Sequence, residues 1–340
     1  MIDSEVIVVG GGPAGSTCAW KLKQNNIETI ILDKKAFPRY KVCAGWITPK
    51  VLKDLELIIE NYPHSFLTFK RFHFRFKGKK LTLRTRQYSI RRYEFDHWLL
   101  ERTGIPVHQY AVNHIRRENG HYIIDDMFRC KYVVGAGGSN CPVYRTFFGK
   151  VNPRAQELLI TAMQEEFLYD YQDKNCYLWF FERNLPGYSW YFPKSNGYLN
   201  VGIGGKFAVL RNREETIRNH WNHFIQKLDN LSLVKHHSFN PRGYNYHLRQ
   251  KVDVGQLENA FIIGDAAGLA TIDMGEGIGP AVESGILVAN AIINRSQYSL
   301  KSVTKYSFIR ILIPWWKESL IRKESGWPGC TNKKAGRAKP

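Results

Sequence analysis

A glycine-rich turn that directly follows an apolar run constrains the fold of this chain more than any other feature. Residues 6–9 are Val-Ile-Val-Val, and Gly10, Gly12 and Gly15 follow them in the spacing G-x-G-x-x-G. In a strand–turn–helix unit, the first glycine permits the tight turn and the second lets a pyrophosphate approach the backbone. The third lets the helix pack closely on the strand. The spacing therefore predicts an α/β unit that binds a dinucleotide.

An acidic residue at the end of the next apolar run supports this interpretation. Residues 29–32 are typical of a second buried strand, and Asp33 follows them directly. A carboxylate in this place, about 20 residues after the glycines, accepts hydrogen bonds from a ribose hydroxyl group. The alternative is a glycine-rich turn in an ordinary α/β unit. We favour the nucleotide site because strand, helix, second strand and acid follow one another in the required order.

A second glycine-rich motif, far along the chain, makes the prediction more specific. A short apolar run, residues 261–263, precedes Gly264 and Asp265, and the glycine-rich residues 275–279 precede a predicted helix. Asp265 is expected to bond the ribityl hydroxyl groups of FAD, and the positive end of the helix to face the isoalloxazine ring. The alternative is a glycine-rich loop in which Asp265 caps a helix. Together, the two motifs predict FAD as the cofactor and redox chemistry as the activity.

Charge and cysteine usage limit the partners and the compartment. The net charge of +19 over 340 residues favours anionic partners such as cofactor phosphates or lipid headgroups. No nucleic-acid-binding module is recognisable, so nucleic acid is not an expected partner. The six cysteines are scattered without a C-x-x-C pair, which predicts reduced thiols, a cytoplasmic location and no metal site. The start lacks a charged and apolar leader, and no apolar run has the length of a membrane span.

Hydrophobic patterns predict a chain that leaves the nucleotide domain and returns to it. Residues 65–88 alternate apolar and charged side chains, which is typical of half-exposed antiparallel strands, and residues 155–205 are rich in strands and aromatic residues. Further strands are predicted at residues 122–124 and 132–134, and helices at residues 95–102, 217–228 and 282–293.

The predicted fold class is α/β, with a Rossmann-like FAD-binding domain interleaved with a mixed α+β antiparallel-sheet substrate domain. The predicted FAD-binding domain is discontinuous and comprises residues 1–64, 89–152 and 250–300. The predicted substrate domain comprises residues 65–88 and 153–249. A C-terminal helical segment, residues 301–330, and a disordered basic tail, residues 331–340, are expected to follow.

The motifs carry a family resemblance over about residues 3–295. The first glycine motif, the R-x-x-F-D segment at residues 92–96 and the second glycine motif together resemble the flavoproteins of the para-hydroxybenzoate hydroxylase fold. Two further stretches narrow the resemblance to the geranylgeranyl reductase family of FAD-dependent oxidoreductases. These are the cysteine-glycine segment at residues 41–45, and the motif Tyr-x-Trp-x-Phe-Pro at residues 188–193 with the glycines at 202, 204 and 205.

The resemblance implies a role for each matching residue. Members of this family add hydride from reduced FAD across the trisubstituted C=C bonds of a prenyl chain. The implied cofactor-binding residues are Ala14 and Asp33 on the adenosine half of FAD, Cys43, Ala44 and Gly45 beside the flavin, Arg92 as a cofactor contact, and Asp265, Gly277 and Ile278 in the second motif. Tyr188 and Trp190 are implied to wall the isoprenoid pocket, so the implied substrate is a prenyl lipid or another hydrophobic small molecule.

Three residues are candidates for catalysis, each with a structural alternative. Hydride transfer needs a nearby proton donor, and Cys43 and Tyr188 are the two candidates. Cys43 could instead be a small residue packed beside the flavin, which we slightly prefer. Trp190 could line the substrate tunnel or belong to an ordinary sheet core. Asp96 is expected only to support the start of a helix.

Departures from the family pattern keep two other functions open. Gly137 stands where the superfamily often has an acid, which argues against NAD(P)H as the direct electron donor and leaves the donor unknown. The segment after the last flavin helix is short, so part of the substrate lid is expected to be missing. One alternative is a flavin-dependent monooxygenase or halogenase acting on an aromatic substrate, although Tyr188 replaces the first tryptophan of the halogenase signature. The other is a non-catalytic flavin-binding remnant at a membrane surface.

Overall fold

The chain folds around two eight-stranded sheets, according to a computed structural model that describes residues 1–64, 66–250 and 254–312. The strands are β1 (Ile2–Val9), β2 (Thr29–Asp33), β3 (Trp46–Ile47), β4 (Leu67–Phe76), β5 (Lys79–Ser89), β6 (Val107–Gln109), β7 (Ile115–Glu118), β8 (His121–Ile124), β9 (Phe128–Gly135), β10 (Leu159–Leu168), β11 (Cys176–Phe180), β12 (Gly187–Pro193), β13 (Tyr198–Lys206), β14 (Arg242–His247), β15 (Gln256–Leu257) and β16 (Ala260–Ile262). The helices are α1 (Pro13–Gln24), α2 (Pro49–Asp54), α3 (Arg92–Glu101), α4 (Phe207–Asn212), α5 (Ile217–Asn230), α6 (Ile278–Ile293) and α7 (Phe308–Leu312).

The first sheet has the topology of a dinucleotide-binding fold. Its main order is β15-β16-β9-β1-β2-β6, with β8 and then β7 attached to β9. Strand β1 lies parallel to both of its neighbours, with Val9 opposite Leu32 of β2 and Gly135 of β9. The carboxyl-terminal part of β1, residues 6–9, and the middle of β2, residues 30–32, are buried and consist only of branched apolar residues, as in sheets that are covered on both faces. Both glycine motifs begin where these strands end, so they meet at the same edge of the sheet. The predicted fold class is confirmed.

The second sheet supplies the aromatic wall. Its order is β14-β10-β13-β12-β11-β4-β5-β3, and all neighbours are antiparallel except β4 and β11. The antiparallel strands predicted within residues 65–88 are confirmed as β4 and β5. One face of the sheet packs against the amphipathic helix α5 through Trp221 and Phe224. The opposite face carries Trp190 and Phe192 in a separate aromatic cluster.

Several predicted boundaries differ from the observed ones. The predicted helices at residues 95–102 and 282–293 begin earlier, at Arg92 and Ile278. The first turn of α6 contains Gly279 and Pro280. A helix tolerates proline in its first turn, but these two residues conceal the apolar period from which the start of the helix was predicted. Of the predicted C-terminal segment, residues 301–312 are described and include only α7; the remainder and the predicted tail lie outside the described residues.

The division into domains stays a prediction. Strand β3 lies within the predicted FAD-binding domain, yet it pairs with β5 in the second sheet.

Five cysteines are free thiols, namely Cys18, Cys43, Cys130, Cys141 and Cys176, and Cys330 lies outside the described part of the chain. No helix in the described ranges is both long and apolar enough to span a bilayer.

Candidate active site

One cavity of about 560 Å³ brings the two glycine motifs together. It lies beyond the carboxyl ends of the central strands of the first sheet, which is where such sheets bind ligands. The predicted site residues that line it are Gly10, Gly12, Ala14, Asp33, Cys43, Ala44, Arg92, Tyr188, Trp190, Asp265, Gly277 and Ile278. Two predicted residues, Gly15 and Gly45, do not line the cavity and lie behind its wall.

Two glycines of the first motif allow the tight turn between β1 and α1. Gly10 has φ +116°, a conformation that other residues rarely adopt, and a Cβ there would lie 2.4 Å from the Ala136 carbonyl oxygen. A Cβ on Gly15 would lie 1.9 Å from the Gly10 carbonyl oxygen. Gly15 therefore acts by letting the helix approach the turn, not by touching a ligand.

Asp33 anchors the turn as well as facing the cavity. One carboxylate oxygen accepts a hydrogen bond from the Gly11 N–H at 2.8 Å, and the other accepts one from the Lys35 N–H at 2.9 Å. A carboxylate oxygen has capacity for a further donor, so these bonds leave Asp33 able to accept from a ribose hydroxyl group. The same bonds fix the direction of the carboxylate before any ligand arrives.

Arg92 enters the cavity as half of a buried ion pair. Its Nε and one terminal nitrogen donate to the two oxygens of Asp96 at 2.6 and 2.8 Å. Burial alone would lower the pKa of Arg92, but Asp96 and then Cys43 raise it above its ordinary value, so the guanidinium stays charged. The expectation that Asp96 supports a helix start was wrong. Asp96 lies in the second turn of α3, and its buried carboxylate holds Arg92 in place.

A second arginine at the cavity was missed by sequence reasoning. A Cβ on Gly12 would lie 3.4 Å from a terminal nitrogen of Arg39, and another terminal nitrogen of Arg39 lies 3.7 Å from Asp96. Arg39 thus stands over the glycine at which a pyrophosphate is expected. The only signal in the sequence is its place in a basic loop, residues 34–41.

Buried and half-buried hydrogen bonds fix the cysteine-containing loop. The Gly45 N–H donates to the Cys43 sulfur at 3.3 Å, and the Asn200 side chain donates to the Cys43 carbonyl at 3.3 Å. The fully buried ammonium of Lys194 donates to the carbonyls of Ala44 and Ile90. Burial lowers the pKa of Lys194 to about 8. Lys194 directly follows the Tyr-x-Trp-x-Phe-Pro motif, but nothing local predicts that it reaches this loop.

The Tyr-x-Trp-x-Phe-Pro motif packs its rings over glycines of the neighbouring strand. In the pairing of β12 with β13, Tyr188 lies opposite Gly204 and Trp190 opposite Gly202. A Cβ on Gly202 would lie 2.2 Å from the Trp190 ring, so the missing side chain makes room for the indole. The Trp190 N–H donates to Asn200 at 2.8 Å. The Tyr188 hydroxyl donates to the Met274 carbonyl at 2.6 Å, and burial raises its pKa well above the ordinary value.

Glu276 lies between the glycines of the second motif and was not singled out from the sequence. It lines the cavity, and one carboxylate oxygen accepts a hydrogen bond from the Gly279 N–H at 2.6 Å. Burial raises the pKa of Glu276 to about 7. The carboxylate of Glu276 is therefore the hydrogen-bond acceptor for one of the backbone N–H groups at the start of α6. The predicted residues Gly277 and Ile278 line the cavity beside it.

The donor set of the cavity fits FAD. Arg39 lies over the glycine turn and Arg92 borders the same space, so cations are available for a pyrophosphate. Asp33 and Asp265 lie on different strand ends, as a ribose and a ribityl chain require. A volume of about 560 Å³ is also within the range of cofactor sites. Among the described residues, no group of three or more His, Cys, Asp or Glu side chains could hold a metal ion.

Comparison with known families agrees with this donor set. Residues 159–239 match the geranylgeranyl reductase catalytic domain, and residues 8–75 match an NAD(P)-binding Rossmann-like domain. The first match covers β10 to α5, which include the wall around Tyr188 and Trp190. The second covers the glycine turn and the loop that carries Cys43.

Two relatives show how far the similarity extends along the chain. An uncharacterised protein of Methanosarcina barkeri is 30% identical over 310 residues, which cover 85% of this chain and 74% of the relative. Digeranylgeranylglycerophospholipid reductase of Thermoplasma acidophilum is 26% identical over 332 residues, which cover 89% of this chain and 82% of that enzyme.

Solved structures establish the fold. A geranylgeranyl bacteriochlorophyll reductase-like protein from Thermoplasma acidophilum superposes with a TM-score of 0.75 at 22% identity, covering 95% of this chain and 84% of that one. The flavin-dependent brominase Bmp2 superposes with a TM-score of 0.69 at 17% identity, covering 88% of this chain and 81% of that one. At such identities, the fold alone does not separate a reductase from a halogenase.

Proposed function

We propose that this chain, which belongs to the geranylgeranyl reductase family of FAD-dependent oxidoreductases, saturates C=C bonds of a prenyl lipid. The observation that carries the proposal is the aromatic wall of Tyr188 and Trp190 on the cavity that also holds both FAD motifs. A prenyl chain is apolar and flexible, and a wall of rigid rings buries it without leaving polar groups unpaired.

FAD, when bound and reduced by an electron donor, would supply the hydride, and the protein's own residues have the remaining tasks, including delivery of the proton. Arg39 and Arg92 would bind the pyrophosphate, and Asp33 and Asp265 the hydroxyl groups. Trp190 is held by its bond to Asn200, so its ring presents a fixed face to the substrate.

The geometry favours Cys43 over Tyr188 as the proton donor. The Tyr188 proton is already engaged with the Met274 carbonyl, and that bond would have to break before a transfer. The Cys43 sulfur instead accepts a hydrogen bond from the Gly45 N–H at 3.3 Å, an interaction that does not use the thiol proton. Both residues stay candidates for the proton donor, and a variant of the true donor should retain flavin but reduce the substrate slowly.

The electron donor and the membrane contact belong to the same proposal. We infer that NAD(P)H is a poor direct donor, because Gly137 stands at the cavity where the superfamily often has an acid. We also infer peripheral contact with a membrane, because the substrate class is a lipid and the net charge is +19.

Anaerobic reduction tests the reaction directly. The purified flavoprotein would be reduced with dithionite, freed of excess reductant, and mixed with a prenylated lipid while the flavin absorbance is followed. We expect re-oxidation without oxygen, with the lipid gaining two hydrogens for each bond reduced. If NADPH reduced the flavin rapidly, prenyl lipids had no effect and an aromatic compound were hydroxylated or halogenated, the proposal would be wrong.

A matched pair of variants tests the role of the aromatic wall. Trp190 and Trp179 are both buried on adjacent strands, but Trp179 packs against α5 on the other side of the sheet. We expect Trp190→Ala to slow re-oxidation by the lipid at least tenfold while FAD is retained. Trp179→Ala should lower the free energy of unfolding but should leave the rate of re-oxidation by the lipid nearly unchanged. Equal re-oxidation rates in the two variants would contradict a substrate-lining role for Trp190.

A further inference from the structure

The hairpin of β4 and β5 carries apolar side chains beyond the end of the core that covers it. Phe72, Phe74 and Phe76 alternate onto one face of β4; the first two are 0% exposed, whereas Phe76 is 41% exposed. Leu81, which pairs with Phe74 across the hairpin, is 48% exposed. The apolar face of this hairpin therefore continues into solvent at its tip.

A third apolar side chain from a neighbouring strand joins this surface. Phe181 directly follows β11, is 44% exposed, and lies with its ring centroid 5.8 Å from that of Phe76. Its φ of +55° is uncommon for a bulky residue, and the chain adopts it where the ring stands outward. Phe76, Leu81 and Phe181 together form a surface that we name the tip patch.

Only positive charges surround the tip patch along the hairpin. Lys77 lies in the turn, Lys79 and Lys80 begin β5, and all three are exposed; residues 61–93 contain no aspartate or glutamate. Glu182, which follows Phe181, is paired with Lys227. Exposed apolar side chains beside a cluster of lysines combine the two signals that together hold a protein on an anionic bilayer, since either signal alone binds weakly.

A continuous series of aromatic contacts connects the tip patch to the cavity. Phe76 stacks on Phe180 with centroids 4.7 Å apart, and Phe180 stacks on Tyr188 at 5.0 Å. Tyr188 lies 5.8 Å from Trp190, and both of these line the cavity. The exposed rings thus stand at the outer end of the same wall that would hold the substrate.

We propose that the tip patch docks the protein on an anionic lipid bilayer, so that a prenyl chain passes from the bilayer along the aromatic wall into the cavity. The passage of the prenyl chain into the cavity rests on the proposed reduction of prenyl lipids, whereas the docking on the bilayer does not. Phe76, Leu81 and Phe181 enter the apolar part of the interface, and the three lysines contact the anionic headgroups.

Vesicle sedimentation of the 340-residue, FAD-loaded protein tests the docking. Vesicles of phosphatidylcholine with one third phosphatidylglycerol are compared with vesicles of phosphatidylcholine alone. We expect the protein to bind the anionic vesicles at least tenfold more tightly. The triple variants Phe76→Ser/Leu81→Ser/Phe181→Ser and Lys77→Gln/Lys79→Gln/Lys80→Gln should each lower the binding at least tenfold.

Two control variants match these changes at other exposed positions. Ile58→Ser/Leu168→Ser/Leu231→Ser removes apolar side chains that are 60%, 67% and 51% exposed, and Lys150→Gln/Lys174→Gln/Lys235→Gln removes three exposed lysines. Both controls should bind vesicles as the unaltered protein does. Flavin absorbance verifies that each variant is folded before it is compared.

Re-oxidation of the reduced protein separates the two proposals. The tip-patch variant should lose re-oxidation by a prenyl lipid embedded in anionic vesicles, but keep re-oxidation by a prenyl diphosphate in free solution. Vesicle binding that needs the tip patch, with no re-oxidation by either substrate, would support docking and overturn the reductase proposal. Docking is overturned if both triple variants bind vesicles normally. It is also overturned if the tip patch instead binds a single-stranded oligonucleotide or a second copy of the chain.

Discussion

Glu276 should make the stability of this protein fall as the pH rises through the neutral range. Burial raises its pKa from an ordinary 4.5 to about 7, so the folded protein holds this proton more tightly than the unfolded chain does. Its contribution to stability is fully present below pH 4.5 and is lost as the pH rises through about 7. A difference of about 2.5 between the two pKa values corresponds to about 3 kcal/mol, a large share of the roughly 5–15 kcal/mol typical of folded domains.

Glu276→Gln should remove this dependence. The glutamine keeps an oxygen that can accept from the Gly279 N–H, but it has no proton to lose. The free energy of unfolding would be measured by urea titration at pH 5, 6, 7 and 8. We expect the unaltered protein to lose about 2–3 kcal/mol relative to Glu276→Gln across this range. The exposed Glu28→Gln serves as the control and should follow the unaltered protein. Parallel pH profiles for Glu276→Gln and the unaltered protein would refute the assigned burial of this carboxyl group.

Three further changes probe the cavity. Asp265→Ala should weaken FAD binding about tenfold or more in a fluorescence titration, because a buried hydrogen bond to a ligand is worth about 1–3 kcal/mol; an unchanged affinity would contradict its place on the ribityl chain. Asp96→Ala leaves the buried Arg92 unpaired and should cost about 3–5 kcal/mol in urea unfolding, which a loss below about 1 kcal/mol would contradict. Gly202→Ala should displace the Trp190 ring and slow re-oxidation by prenyl lipids, whereas Gly149→Ala, where a Cβ would meet nothing closer than 3.5 Å, should not; equal rates would speak against the packing of Trp190 on Gly202.

The sequence predicts those features whose causes are local. The turn at Gly10, the acid at Asp33 and the glycine-rich start of α6 each depend on residues close together in the chain. The hairpin of β4 and β5 also follows from local alternation of apolar and charged residues. Because these patterns fix which strands are central and where their carboxyl ends lie, the location of the cofactor cavity could be predicted from the sequence.

What could not be predicted depends on residues that meet only after folding. The ammonium of Lys194 bonds carbonyls 150 and 104 positions away in the sequence, and no local pattern identifies those partners. The role of Asp96 was misjudged for a related reason. An acidic residue inside a helix can form several kinds of local interaction, and the sequence does not show which one matters. The ion pair of Asp96 with Arg92 matters here because both side chains are buried beside the cavity.

Strand β12 shows how one short motif can belong to the core and to the cavity at the same time. Side chains alternate between the two faces of a strand, so Tyr188 and Trp190 line the cavity while Tyr191, between Trp190 and Phe192, joins the cluster packed against α5. The Tyr191 hydroxyl donates to the Asp173 carbonyl at 3.0 Å, which fixes the strand from its far side. Because the same strand is fixed from both faces, the position of the Trp190 ring is set by packing before a substrate enters. A cavity wall built in this way keeps its shape without a bound ligand, since Trp190 packs in the space that the missing side chain of Gly202 leaves open.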